Sequence, residues 1–319
     1  MVSKVIQKIL LAASFDHHRN NRTTTLKTIN QELIMKKVTG AGAIACMLFA
    51  SGAQAAITNI DGQAGGGLVP WALLSSGPTV AITHLGTQNL GINSVAVNTS
   101  FANRVEVSYA RNMLSVSGTN ATALGGLVGA SNTNNVDNLG MKVKLNDMSD
   151  SMPQFALGLV YKRASGSLPD LLNSAFGINK TATDVYGAAT KIVNVGGKTV
   201  LLNGVVRASK ANQMGLLGFG GGTTLGAKTG YSVKPELSVE VFAAENVIVG
   251  AEYRAQPSNG VAGTDGVLRQ NAAYDLHVVY VANKNFTLTA AYTNLGQVAP
   301  GATNSNKQNG MLLQAQVNF

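Results

Sequence analysis

One pattern limits what this chain can fold into: apolar residues alternate with polar ones over about ten positions, again and again, and no run after residue 55 is apolar enough for a membrane helix. The last segment shows it most clearly. Met311, Leu313, Ala315, Val317 and Phe319 fall on one face of an extended strand, and Leu312, Gln314, Gln316 and Asn318 on the other. Phe286, Leu288, Ala290 and Tyr292 oppose Thr287, Thr289, Ala291 and Thr293. Phe155, Leu157, Leu159 and Tyr161 oppose Gln154, Ala156, Gly158 and Lys162. A strand in hydrocarbon must pair every N–H and C=O, so such strands close into a barrel with no free edge. The expected fold is all-β: a transmembrane antiparallel up-and-down barrel.

Twelve strands are expected, near 79–86, 90–100, 104–112, 138–146, 153–163, 182–194, 198–209, 228–242, 246–256, 270–283, 285–295 and 309–319. The number is even, as single-chain bacterial barrels require. Connection lengths sort by side. Ala102-Asn103, Asp147–Met152, Val195-Gly196-Gly197, Ala243–Glu245 and Lys284 are short, while 113–137, 164–181, 210–227, 257–269 and 296–308 are long, with one tight turn at 87–89. Short periplasmic turns with long outer loops are the expected asymmetry, which puts Phe319 on the periplasmic side and pairs its strand with 79–86. Pro235 removes one ladder donor, so its segment is expected either to bulge there or to be two strands. Tyr109, Tyr161, Tyr253, Phe286 and Tyr292 stand near strand ends, where an aromatic girdle or ordinary β-propensity would place them.

Upstream, Met35-Lys36-Lys37, an apolar stretch from Val38 to Ala50 and Ser51-Gly52-Ala53-Gln54-Ala55 form a secretory signal peptide at 35–55, cut before Ala56. Residues 1–34 lie outside that pattern and are expected to be an upstream extension, either ahead of a true start at Met35 or a lengthened basic region of the signal peptide. Cys46, the one cysteine, sits within the apolar stretch and not after it, so lipidation is not expected. The remaining chain has no cysteine and two histidines, His84 and His277, and no metal site is expected. Charged residues are 12% of the chain, about half the usual share, and beyond residue 55 the basic ones are scattered, with Lys162-Arg163 the one adjacent pair, which argues against nucleic-acid binding. Residues 56–77, with Gly65-Gly66-Gly67 and Trp71, lack the Lys-Ser/Thr of a phosphate loop. They are expected to form a periplasmic N-terminal segment or plug, with Trp71 as its anchor inside the barrel mouth or at the membrane interface. The barrel is assigned to 78–319, and no cofactor is expected.

The inward face carries Arg104, Glu106, Lys142, Lys144, Lys162, Arg207, Lys234, Glu236, Glu240, Glu252, Arg254, Asp275 and His277. These line a pore or form an ion-pair network that fills the lumen; a backbone diameter of roughly 24 Å fits both. The expected function is a narrow porin-like channel for small polar or charged solutes. Two alternatives stand beside it: a structural or surface-binding barrel, and an outer-membrane hydrolase built on Ser238, Asp275 and His277. The chain is otherwise read as a non-enzyme. Partners expected are outer-membrane lipid and lipopolysaccharide of a Gram-negative bacterium, and the assembly machinery, for which Phe319 ends the strand signal.

Three stretches resemble one family: 62–77 (Gly62-Gln63-Ala64-Gly65-Gly66-Gly67-Leu68-Val69-Pro70-Trp71 and onward), Lys210–Gly220, and Gly250-Ala251-Glu252-Tyr253-Arg254 with Pro257. Tyr274-Asp275 and Asn283-Lys284 fit it too. It is an uncharacterised group of proteobacterial outer-membrane proteins, named only as a domain of unknown function, and the resemblance runs over about 61–319. It implies an outer-membrane barrel and brings no activity or substrate.

Overall fold

A computed structural model of the chain describes residues 56–116, 134–222, 230–259, 268–298 and 307–319. The expected signal peptide, the upstream extension and the middle of loop 113–137 lie outside these residues. Two short strands, β1 (Ile57–Thr58) and β2 (Ala64–Gly65), pair with each other. Twelve more follow: β3 (Thr79–Thr87), β4 (Leu90–Phe101), β5 (Val105–Val116), β6 (Asn134–Lys144), β7 (Gln154–Ser165), β8 (Thr181–Val195), β9 (Lys198–Ser209), β10 (Ser232–Ala244), β11 (Val247–Arg254), β12 (Ala273–Asn283), β13 (Phe286–Gln297) and β14 (Lys307–Asn318). These twelve form a closed barrel in which each strand pairs antiparallel with its sequence neighbours. β14 closes the ring against β3, from Gly310↔Thr87 to Asn318↔Thr79. The expected count, order and closing pair are all present.

Pro235 neither breaks nor bulges its strand. It stays in register with Val206 of β9, while pairing to β11 begins one residue later at Glu236↔Arg254. The missing N–H therefore falls beyond the β11 ladder, where the Pro235 carbonyl still accepts from Ala255 N at 3.1 Å. The register shift of β10 lies elsewhere, between Phe242 and Ala244.

The side chains obey the period of two. Val80, Ile82, Leu139, Leu157, Val206, Leu237, Leu276 and Leu313 point outward and are exposed, whereas their neighbours on each strand are buried inside. A soluble barrel would hide this apolar belt, which spans the circumference; an outer-membrane barrel presents it to lipid. No helix among the described residues is long and apolar enough to cross a membrane.

The core lies inside the ring. At the end bearing the long loops, helix α1 (Ser167–Phe176) occupies part of the stretch expected as plain loop, and buries Leu168 and Leu172. Gly177 ends it in the left-handed conformation (φ 68°). Residues 210–222 fold inward beside it and pack Met214, Leu216, Leu217 and Phe219 against Leu85, Ile92, Leu114, Val136, Leu168 and Ile178.

Candidate functional site

Residues 56–76 run inside the barrel, and nearly all are buried. An irregular backbone in such a place must have its polar groups satisfied by the wall. Asn112 Nδ2 donates to Ile60 O (2.9 Å), Asn98 Nδ2 to Gly62 O (3.0 Å), Gln154 Nε2 to Ala72 O (2.8 Å), Asn203 Nδ2 to Pro70 O (3.2 Å) and Gln314 Nε2 to Thr58 O (2.8 Å). Ala72 N donates to Thr190 Oγ1 at 2.7 Å. Partners thus come from β4, β5, β7, β8, β9 and β14, and β11 adds Glu252 and Arg254 on Leu68.

Two charged side chains on adjacent strands grip the same insert. Glu106 of β5 stands opposite Lys142 of β6 in the ladder, with Lys142 Nζ 3.2 Å from Glu106 Oε1. Glu106 accepts from Ala64 N (3.0 Å) and Ser75 N (2.8 Å), while Lys142 Nζ donates to Ala64 O (2.9 Å) and Trp71 O (3.2 Å). Trp71 is buried within the lumen, not on the lipid face.

Deeper in, the Asp61 carboxylate meets three cations from three alternate strands. Oδ1 is 2.7 Å from Lys162 Nζ of β7; Oδ2 is 3.3 Å from Arg207 Nη1 of β9 and 3.0 Å from Arg254 Nη2 of β11. Two wall carboxylates complete the network. Glu236 binds Arg207 through both oxygens (2.6 and 3.1 Å) and lies 3.3 Å from Arg254 Nε. Asp184 of β8 sits 3.1 Å from Lys162 Nζ and 3.7 Å from Arg207 Nη1, at ion-pair distance rather than in hydrogen bonds. Tyr186 stacks under Arg207, 4.9 Å from its ring centre, and its hydroxyl donates to Gln63 Oε1 at 2.8 Å. Burial opposes the charge on Asp61, but Arg254, Lys162 and Arg207 outweigh it and hold the carboxyl well below the usual carboxylate range. Lys162 Nζ also reaches Met214 O at 3.4 Å, so it touches both inserts.

A second cluster is laid out by strand register. Glu240, Gly250 and His277 form one row across β10, β11 and β12, and Ser238, Glu252 and Asp275 the next. Gly250 leaves the space that lets Glu240 reach over it to His277; a Cβ there would collide with both. His277 holds Glu240 Oε2 at 2.8 Å by Nε2 and Asp275 Oδ1 at 2.7 Å by Nδ1. Glu252 Oε1 accepts from Ser238 Oγ (2.9 Å) and Oε2 from Leu68 N (2.6 Å). Both nitrogens of His277 are thus held by carboxylates and Ser238 is bonded to Glu252, so the serine–histidine pair of a hydrolase is not assembled.

Of the thirteen inward charges expected from the sequence, eleven are buried inside the barrel. Arg104 instead is exposed in the turn between β4 and β5, and Lys234 is half-buried near the loop end of β10. Lys144 is buried at the opposite end of β6 and pairs with exposed Asp147 at 2.5 Å. Phe319 is exposed, its N–H bonded to Pro78 O at 2.9 Å. Asp61 and Asp184 escaped the sequence reading. Asp184 was within reach, since it alternates with outward Val185. Asp61 lies in a stretch without periodicity, where no pattern points to a lumenal partner.

Comparison with known proteins gives a match over residues 54–316 to a family described as "Protein of unknown function (DUF3034)". A search of curated proteins finds no match. Among solved structures, the chain is similar to the NanC porin at 9% identity and a TM-score of 0.47, covering 76% of this chain and 100% of that one. An outer membrane channel from Pseudomonas putida F1 shares 14% identity at a TM-score of 0.43, covering 82% and 98%. Outer membrane phospholipase A from Escherichia coli shares 9% at 0.39, covering 76% and 92%.

Proposed function

The chain belongs to the DUF3034 family, and from that premise we propose that it is a porin-like outer-membrane barrel for small polar or charged solutes whose path is closed by its own inserts. The observation that carries this reading is the Asp61 network. It joins the N-terminal insert to three strands through side chains that would otherwise line a polar lumen. Ion pairs and single hydrogen bonds can part and re-form without disturbing the barrel ladder. In this reading residues 56–77 are a resident plug, inserted from the periplasmic side, where Phe319 also lies and where the C-terminal strand is offered to the assembly machinery. The eleven lumenal charges are then the lining that an open state exposes.

Planar-bilayer recording tests this. The intact chain is expected to be silent or to open briefly, while the barrel lacking both residues 57–76 and residues 211–221 gives discrete conductance steps. Asp61→Ala, which keeps the insert but cuts its charged tie, should open more often than the intact chain. A folded deletion barrel that remains silent would sink the channel reading in favour of a filled structural barrel.

A further inference from the structure

The carboxylates around His277 are unbalanced. Glu240, Glu252 and Asp275 bring three carboxyl groups into the lumen; with all three ionised, two negative charges are in excess even when His277 is an imidazolium. Among the described residues no other ion pair reaches them, since Arg207 and Arg254 are turned to Asp61, Asp184 and Glu236. Buried charge of one sign persists only where a counter-charge meets it, and is otherwise neutralised by protons.

One oxygen of Glu252, one of Asp275 and a ring nitrogen of His277 lie within 4.8 Å of one another. Independently, Asp275 Oδ2 and Glu240 Oε1 are fully buried and have no hydrogen-bond partner. The Asp275 orphan faces the same space as Glu252: the point where a Cβ of Gly67 would sit is 3.2 Å from Asp275 Oδ2 and 3.8 Å from Glu252 Oε2. The insert supplies the lid. Gly66 and Gly67 pass so close that a Cβ on Gly66 would collide with the Glu252 carboxylate, and the N–H of Leu68 caps Glu252.

We propose that Glu252, Asp275 and His277 form a binding site for one first-row divalent metal ion beneath the Gly66-Gly67 stretch. Two carboxylates and one imidazole are a mixed O/N donor set suited to Zn2+ or Mn2+. Bonds of about 2.1 Å bring tetrahedral ligand atoms to about 3.4 Å apart, a closure that side-chain rotation supplies. Loading releases the proton from the ligating nitrogen of His277, and Glu240 remains as its partner on the other nitrogen, which orients the ring. With that proton released, a divalent ion lowers the excess from two negative charges to one and fixes the wall carboxylate that holds the insert. This site is independent of whether the barrel conducts.

The test is metal analysis of the mature chain, folded in detergent, stripped with EDTA, reloaded with Zn2+ or Mn2+ and desalted. About one equivalent per chain is expected with at least one of the two metals, less than about a tenth in the Glu252→Gln/Asp275→Asn double variant, and full occupancy in Asp147→Asn. Metal-free intact protein after both loadings overturns the proposal, whatever the variants do. Full occupancy in a double variant that retains the heat-modifiable gel mobility of a folded barrel overturns it as well.

Discussion

The Asp61 network and the His277 cluster sit in the same lumen and handle charge in opposite ways. Around Asp61, three carboxylates (Asp61, Asp184, Glu236) meet three cations (Lys162, Arg207, Arg254), and the insert contributes one of the charges. Around His277, three carboxylates meet one imidazole, and the insert contributes only backbone N–H groups. In the first, each charge is the counter-ion of another, so losing one strands its partners. In the second, carboxyl groups outnumber the one imidazole, so losing one relieves the rest. Buried ionic groups therefore have no single sign of effect on stability; the local sum decides.

Breaking the balanced network has the largest expected effect. Asp61→Ala leaves three buried cations facing two carboxylates and should cost about 3–5 kcal/mol, read as a lower urea midpoint and as faster proteolysis of residues 56–76. An unchanged midpoint would show that the insert is held by its backbone bonds alone.

Acid probes the same network without a mutation. The Asp61 carboxyl is held below its ordinary value of 3.8, so its contribution is fully present above that pH and is lost as pH falls towards the lower folded value. Proteolysis of the insert should thus be flat from neutral pH to about 4.5 and rise only below that, and the rise should be absent in Asp61→Ala. Loss of protection already at pH 6 would assign the tie to other groups.

The smallest effect should have the opposite sign. In EDTA, Asp275→Asn removes one of the excess negative charges and is expected to raise stability by about 1 kcal/mol, where Asp61→Ala lowers it. If both substitutions destabilise alike, the contrast between the clusters is wrong.

Much of the barrel was legible before any coordinate. The strand from Met311 to Phe319 and its partner near 79–86 follow from alternation and closure, and both are in place. Pro235 was ambiguous because a missing donor has meaning only once the neighbour on that side is known. Arg104 counted as inward because its segment alternates, but the hairpin turns one residue later and leaves it exposed. Helix α1 lay in what was expected to be loop. The hydrolase constellation fails for a reason that sequence spacing does not contain: register places Glu240 and Asp275 on the two nitrogens of His277.

By itself the sequence determined the class of fold and the direction in which nearly every strand side chain points. A period of two and the need to pair every peptide group in lipid leave few alternatives, and both are properties of local chain. Which inward charges meet was decided only in three dimensions. Lys162, Arg207 and Arg254 lie far apart in the chain, and barrel closure and strand register bring them to one point. Asp61 joins them because an aperiodic insert folds back through the ring, and it stays because the wall satisfies its backbone.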